Sequence, residues 1–196
     1  MNVDLYARGL ASDVYSRTRR KAQFLVLKGS SGKMECVVAR SAIVFGPGSR
    51  RSVRLIESFV RDRVWVLPVP SRRFCPVYSA DLDIGVVQAA AKARPGNTYT
   101  IAGNCVTLRQ FIDELARVSG RRDPRLSIPG WLVIPGLSVA WAIRPVTRWT
   151  PPVTVEGVNH GHIFDGSAAG RTLNLEDTPF DRAPAATVEA LRLKRA

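Results

Sequence analysis

Cys36-Val37-Val38-Ala39-Arg40-Ser41-Ala42-Ile43-Val44-Phe45-Gly46-Pro47-Gly48 is the stretch on which the fold turns. Cys36–Ala39 is a short continuous apolar run, the pattern of a parallel strand covered on both faces. Ile43-Val44-Phe45 then runs into Gly46-Pro47-Gly48, a hard stop. Upstream, Val14 to Leu27 carries Val14, Tyr15, Ala22, Leu25 and Val26 as its apolar or aromatic side. Arg17, Arg19, Arg20, Lys21 and Lys28 form a cationic outer side, and Gly29 follows, so this segment predicts a helix. Downstream, Val53, Ile56, Phe59 and Val60 mark a helix over Arg50–Arg63. Val64–Leu67 and Pro76–Tyr78 read as short strands around a basic loop, Ser71-Arg72-Arg73.

Further on, Asp81 is placed to cap a helix over Leu82–Ala93, closed by Pro95-Gly96, and Thr98–Ala102 alternates as a strand. Thr107 and Gln110 form a capping box. Leu108, Phe111, Ile112 and Leu115 make the buried stripe behind it, and Gly120 sits past the end. Asp165 caps a short turn to Gly170, and Thr187–Leu193 is a last helix. Strands alternating with helices of about 12 residues define βαβ units and an α/β sheet.

The chain has 196 residues, 45% of them hydrophobic, enough to bury a core and to set aside disorder. Lys and Arg number 29 against 16 Asp and Glu, a net charge of +13, and most of the excess lies ahead of Pro76. Cys36, Cys75 and Cys105 are odd in number and form no CxxC, so we expect reduced, buried thiols rather than a disulfide or a zinc site. Met1 is followed by Asn2 and Asp4, so no signal peptide is expected and the location is read as cytoplasmic. Leu126–Ile143 is free of charge throughout, but its Pro and Gly pairs make it a poor spanning helix.

Several of these segments resemble the second half of the extended short-chain dehydrogenases/reductases, the NAD(P)-dependent epimerase/dehydratase superfamily. Tyr15 opening a helix, then Ser41–Gly48 leading to another, carries the likeness first. Pro76-Val77-Tyr78-Ser79-Ala80-Asp81-Leu82 is similar to that family's strand-to-helix step near the substrate. Gly96–Gly103 with the Thr107 helix, and Phe164-Asp165-Gly166-Ser167 with the closing helix, resemble its substrate-side and C-terminal segments. The dihydroflavonol-reductase-like and hopanoid-associated epimerase-like groups are the nearest in flavour. The implied fold is α/β, the C-terminal half of a Rossmann-like doubly wound sheet with a small α/β substrate subdomain. Residues 1–95 would supply the Rossmann-like half, with part of the substrate region at 46–80. Residues 96–196 would mainly form the substrate-binding subdomain and C-terminal helices.

The resemblance implies NAD or NADP as cofactor. Its substrate would offer a hydroxyl or carbonyl on a sugar nucleotide, a steroid-like or a flavonoid-like molecule. In that family a Tyr and a Lys four residues later share one helix face and carry proton transfer. Here the pair is Tyr15 and Arg19; Arg supplies charge but barely deprotonates. Ser41, Ala42, Ile43 and Val44 would approach the nicotinamide end through backbone atoms. Arg50, Arg72 and Arg73 are candidates for an anionic substrate.

A dinucleotide also needs a glycine-rich turn after a strand, where bare amides at a helix start meet the pyrophosphate. No GxGxxG or GxxGxxG occurs, and little sequence precedes Tyr15, so the expectation is the C-terminal portion of such an enzyme. Binding of NAD(P) by this chain alone is therefore expected to be weak or absent. An inactive remnant, or a subunit completed by a second chain or by its own copies, is the first alternative. His160 and His162 lack partners at ligand spacing, so no metal is expected. The three tryptophans Trp131, Trp141 and Trp149 are expected to pack as a lid. Nucleic-acid binding rests on the basic charge alone, with no binding motif. Peripheral membrane contact would use Leu126–Ile143 between Arg125 and Arg144.

Overall fold

The computed structural model describes residues 14–29, 34–49, 56–61, 66–122, 124, 126–129, 131–133, 135 and 163–193. The elements run α1 (Val14–Gly29), β1 (Val38–Ser41), β2 (Ile43–Phe45), β3 (Val66–Pro68), β4 (Arg73–Phe74), β5 (Pro76–Tyr78) and α2 (Ser79–Lys92). They continue with β6 (Thr98–Ile101), β7 (Val106–Thr107), α3 (Leu108–Ser119), β8 (Leu126–Ile128), α4 (Ser167–Leu173) and α5 (Arg182–Leu193). The fold is mixed α/β built largely on short parallel strand pairs: the α/β class that the sequence pattern predicts, in the partial Rossmann-like form that the resemblance implies.

The Cys36–Phe45 stretch forms two strands that change partners. β1 pairs in parallel with β6, from Val38 opposite Thr98 to Ser41 opposite Ile101. One residue later β2 pairs in parallel with β5, from Ile43 opposite Pro76 to Phe45 opposite Tyr78. Ala42, buried between them, donates its N–H to the Ile101 carbonyl at 3.0 Å, so the fork opens directly after it. β3 and β8 are also parallel, while β4 and β7 form a two-rung antiparallel ladder. The sequence reading misses β4, β7 and β8. Each is only two or three residues long, and β8 lies in an apolar run without alternation.

The main core gathers around α3. Phe111, Ile112 and Leu115 from α3 pack with Phe45, with Ile56, Phe59 and Val60 of a helical turn at 56–60, and with Val188 of α5. Phe111 meets Phe45 and Phe74 edge-on, with ring centroids 5.4 and 5.5 Å apart. The α3 capping box forms as predicted: Gln110 N–H donates to Thr107 Oγ1 at 3.1 Å, and Thr107 N–H donates to Gln110 Oε1 at 2.8 Å. Gly120 takes the left-handed conformation at φ 68°, where a side chain would be strained.

Four expectations are corrected. α2 starts at Ser79 rather than Leu82, so Asp81 lies in its first turn and binds elsewhere instead of capping it. α5 starts at Arg182, well ahead of Thr187. The apolar side predicted for α1 faces outward at Leu25 and Val26. Gln23 ties α1 to the sheet: it donates to Thr98 Oγ1 at 3.1 Å and accepts from Arg40 Nη2 at 2.8 Å. Finally, Cys75 and Cys105 are joined as a disulfide, leaving Cys36 free, because the β4–β7 pairing sets two distant cysteines opposite each other.

Candidate functional site

In open parallel sheets, ligands sit beyond the carboxyl ends of the strands where neighbouring strands part. The β1/β2 fork supplies such a place. The chain leaves β2 at Gly46, whose φ of 123° admits only glycine comfortably. A Cβ there would collide with Ser79 Oγ and come within 2.9 Å of the Tyr78 ring, so glycine also lets the turn lie against the start of α2. Ser79 Oγ donates to the Pro47 carbonyl at 3.2 Å, and Ser49 Oγ donates to the Val44 carbonyl at 2.9 Å. The Gly46-Pro47-Gly48 turn is thus held over the carboxyl ends of β2 and β5.

The predicted residues fall in two groups, one at this fork or on α1 beside it and one where β4 meets β7 and α3. Ser41 ends β1 and is exposed, Ala42 is buried at the branch, and Ile43 and Val44 begin β2. Tyr15 lies in the first turn of α1, the helix bound to β1 and β6 through Gln23, and Arg19 is exposed one turn further on. The Tyr15 ring, Arg50, His160, His162, Trp141 and Trp149 lie outside the described residues. Arg72 and Arg73 stand on the α3 side. Arg73 is exposed in β4, opposite Thr107. The Arg72 carbonyl accepts the Leu108 N–H at 2.8 Å, and its Nε is buried without a hydrogen-bond partner. Such an orphaned donor costs about 1–3 kcal/mol until an acceptor arrives. The lid expected of the tryptophans is not formed at Trp131, which is 71% exposed.

Sequence reasoning misses a second feature, a cavity of about 320 Å³ beyond the end of β6. Asp81, Asn104, Cys105, Asp165, Glu176 and Asp177 face it, with Ile84, Phe164 and Leu175 among its apolar walls. Asp81 is well engaged: its carboxylate accepts the Thr178 N–H at 2.9 Å and the Thr178 hydroxyl at 2.5 Å. That clasp ties α2 to the segment entering α5. Burial, and then the Asp81 carboxylate, push the Asp177 carboxyl above its ordinary range. Asp165 moves the other way, held low by the Ser167 hydroxyl and then by the Ser167 N–H at 2.9 Å. Only a fold can assemble this cavity, since its walls come from segments as distant in the sequence as Asp81 and Asp177. No three His, Cys, Asp or Glu side chains among the described residues are arranged so that they could hold a metal ion, and no described helix is long and apolar enough to cross a membrane.

The class defined by this geometry is a mixed α/β, partial Rossmann-like fold. Solved structures share it. The structure of gox2253 superposes with a TM-score of 0.75 at 16% identity, over 93% of this chain and 57% of its own. A nucleoside-diphosphate-sugar epimerase from Pseudomonas aeruginosa gives a TM-score of 0.72 at 16% identity, over 97% of this chain and 58% of its own. dTDP-glucose 4,6-dehydratase from Bacillus anthracis, solved in complex with NAD, gives 0.67 at 14% identity, over 93% and 53%. This chain therefore spans somewhat over half the length of the structures it matches. No family model and no curated protein matches the sequence.

The Gly46–Ser49 turn does not fit the diphosphate of a dinucleotide. Of the four positions 46–49, Pro47 has no N–H, and the Ser49 N–H is donated to the Gly46 carbonyl at 3.2 Å. The Ala42 N–H is likewise engaged, by Ile101. A cradle of successive free amides is not built at this turn.

Proposed function

We propose that this chain supplies the substrate-facing half of an NAD(P)-dependent epimerase/dehydratase-type centre acting on a hydroxyl or carbonyl group. A sugar nucleotide is the substrate class we favour. The observation that carries this reading is the β1/β2 fork, where two parallel pairs part at Ala42 and the second ends at the Gly46–Gly48 turn, in a fold shared with such enzymes over nearly all of this chain. In this reading residues 1–95 form the Rossmann side and 96–196 mainly the substrate side.

Tyr15 would exchange a proton with the substrate hydroxyl at its phenolic oxygen, and Arg19, four residues on, would favour the phenolate by its charge. Backbone atoms of Ser41, Ala42, Ile43 and Val44 would border the nicotinamide side. Arg50, Arg72 and Arg73 would meet the anionic part of the substrate, and the orphaned Arg72 Nε supports that role, because a phosphate oxygen would satisfy it. The pyrophosphate seat must come from elsewhere, either further sequence or a second chain, so we expect no tight dinucleotide binding by these residues alone.

Isothermal titration of the chain with NAD and with NADPH tests this directly. We expect no measurable heat at micromolar protein, whereas a nucleoside diphosphate should bind in a manner weakened by Arg72→Ala. Micromolar binding of either dinucleotide would refute the missing-cradle half of the reading. Nucleoside diphosphate binding that ignores Arg72 would refute the other half.

A further inference from the structure

Cys75 and Cys105 continue the register of the β4–β7 ladder. Arg73 faces Thr107 and Phe74 faces Val106, so the next pair along is Cys75 opposite Cys105. Their Cα atoms are 3.9 Å apart and their sulfurs are bonded. The ladder has only two rungs, which is marginal on its own, and the bridge acts as a third.

The two sulfurs have different surroundings. Cys75 is fully buried, and its Sγ accepts the Phe164 N–H at 3.2 Å. Cys105 is half-buried and lines the 320 Å³ cavity. A thiolate arriving through the cavity therefore meets Cys105 first. The electron pair released when the bridge opens falls on Cys75, where the Phe164 N–H stabilises a thiolate. A stabilised leaving thiolate speeds exchange.

We propose that Cys75–Cys105 is a reversible thiol–disulfide switch, worked from the cavity by a dithiol reductant. One thiolate of the reductant attacks Cys105 Sγ. The Cys75–Cys105 bond breaks, and Cys75 leaves as a thiolate that takes up a proton. The second thiol of the reductant then attacks its own sulfur in the mixed disulfide and frees Cys105. In sum, two electrons and two protons pass to the protein, and the dithiol closes to a disulfide.

What the bridge governs follows from its neighbours. Gly103 lies so close to β5 that a Cβ would collide with the Pro76 carbonyl, so the loop leaving β6 is pressed onto that strand beside the disulfide. On the other side, α3 begins by donating the Leu108 N–H to Arg72 and the Arg109 N–H to Pro70, at 2.8 and 3.0 Å. Opening the bridge removes the covalent rung and leaves the β4–β7 ladder with its two paired rungs next to these contacts. The switch couples the redox state of the cavity to the segment carrying Arg72 and Arg73.

The test uses the whole chain without denaturant. Free thiols are alkylated before and after dithiothreitol treatment, the sites are mapped by non-reducing mass spectrometry, and amide exchange is followed in both states. The untreated protein should yield a linked Cys75–Cys105 peptide pair with Cys36 alkylated. Dithiothreitol should open the pair, label Cys105 before Cys75, and speed exchange at residues 104–107 by about tenfold or more. The C75S/C105S variant should exchange at the fast rate in either condition; the wild-type comparison stands if that variant does not fold. Three free thiols in the untreated protein would overturn the proposal. So would a bridge that opens only in denaturant, or exchange that reduction leaves unchanged.

Discussion

Helices α3 and α1 show two ways for a sequence to make a helix. α3 contains its own instructions: a capping box at its start, a left-handed glycine after its end, and an apolar stripe that is buried against α5 and Phe45. Among its described side chains, residues 17–29, α1 has no such buried stripe. Phe24, Leu25 and Val26 are all more than half exposed, and the helix is tied to the sheet by the polar Gln23. The contrast teaches that apolar spacing alone does not say which side of a helix is covered; only the partner element decides. It also predicts very unequal responses to truncation. Phe111→Ala removes a ring held edge-on between two others and should cost about 3–5 kcal/mol in urea unfolding. A loss below about 1 kcal/mol would break the contrast, since the core would then not be centred on α3.

The same contrast explains what was legible beforehand. α3, the 56–60 turn and the strands at 43–45, 76–78 and 98–101 follow from local patterns, because each buries residues that its own pattern marks. The positions of Tyr15, Arg19 and Ser41–Val44 in the chain could be named, but the fork that gives Ser41–Val44 their setting depends on β5 and β6, distant in sequence. The disulfide was missed for a related reason. Spacing gives no sign that Cys75 and Cys105 meet, since the two-residue strands that oppose them have no period to detect. The cavity carboxylates are invisible in the same way, because the Thr178 clasp that sets Asp177 near Asp81 joins segments far apart in the sequence.

A smaller effect lies between the two extremes, where the 175–178 segment leads into α5. The Asp177 carboxyl has a raised affinity for its proton in the folded chain, through burial and then the Asp81 charge. A raised folded-state value favours the protonated form. Its stabilising contribution is complete below the unfolded value of about 3.8 and is lost as pH rises through the folded one. Asp177→Asn, neutral at every pH, should therefore stabilise the protein near neutrality by less than about 1 kcal/mol, the group being largely solvated. Thermal melts should show that gain shrinking toward zero as pH falls below 3.8. A gain independent of pH would mean that Asn improves packing rather than relieving charge.

The smallest effect is the sharpest test of α1. Phe24 is 63% exposed, so Phe24→Ser removes little buried surface and should change unfolding free energy by no more than about 0.5 kcal/mol. The substitution nevertheless has a second readout. Apolar side chains at three successive positions point around much of the helix, so a single neighbour packing on one side covers at most part of them. If copies of the chain associate through α1, the loss would grow with protein concentration, because unfolding would then be linked to dissociation. A loss of about 2 kcal/mol, the scale of a buried apolar side chain, that does not vary with concentration would show that α1 is covered within one chain. In that case its outward face would belong to the core, and the difference between the two helices would reduce to their ends.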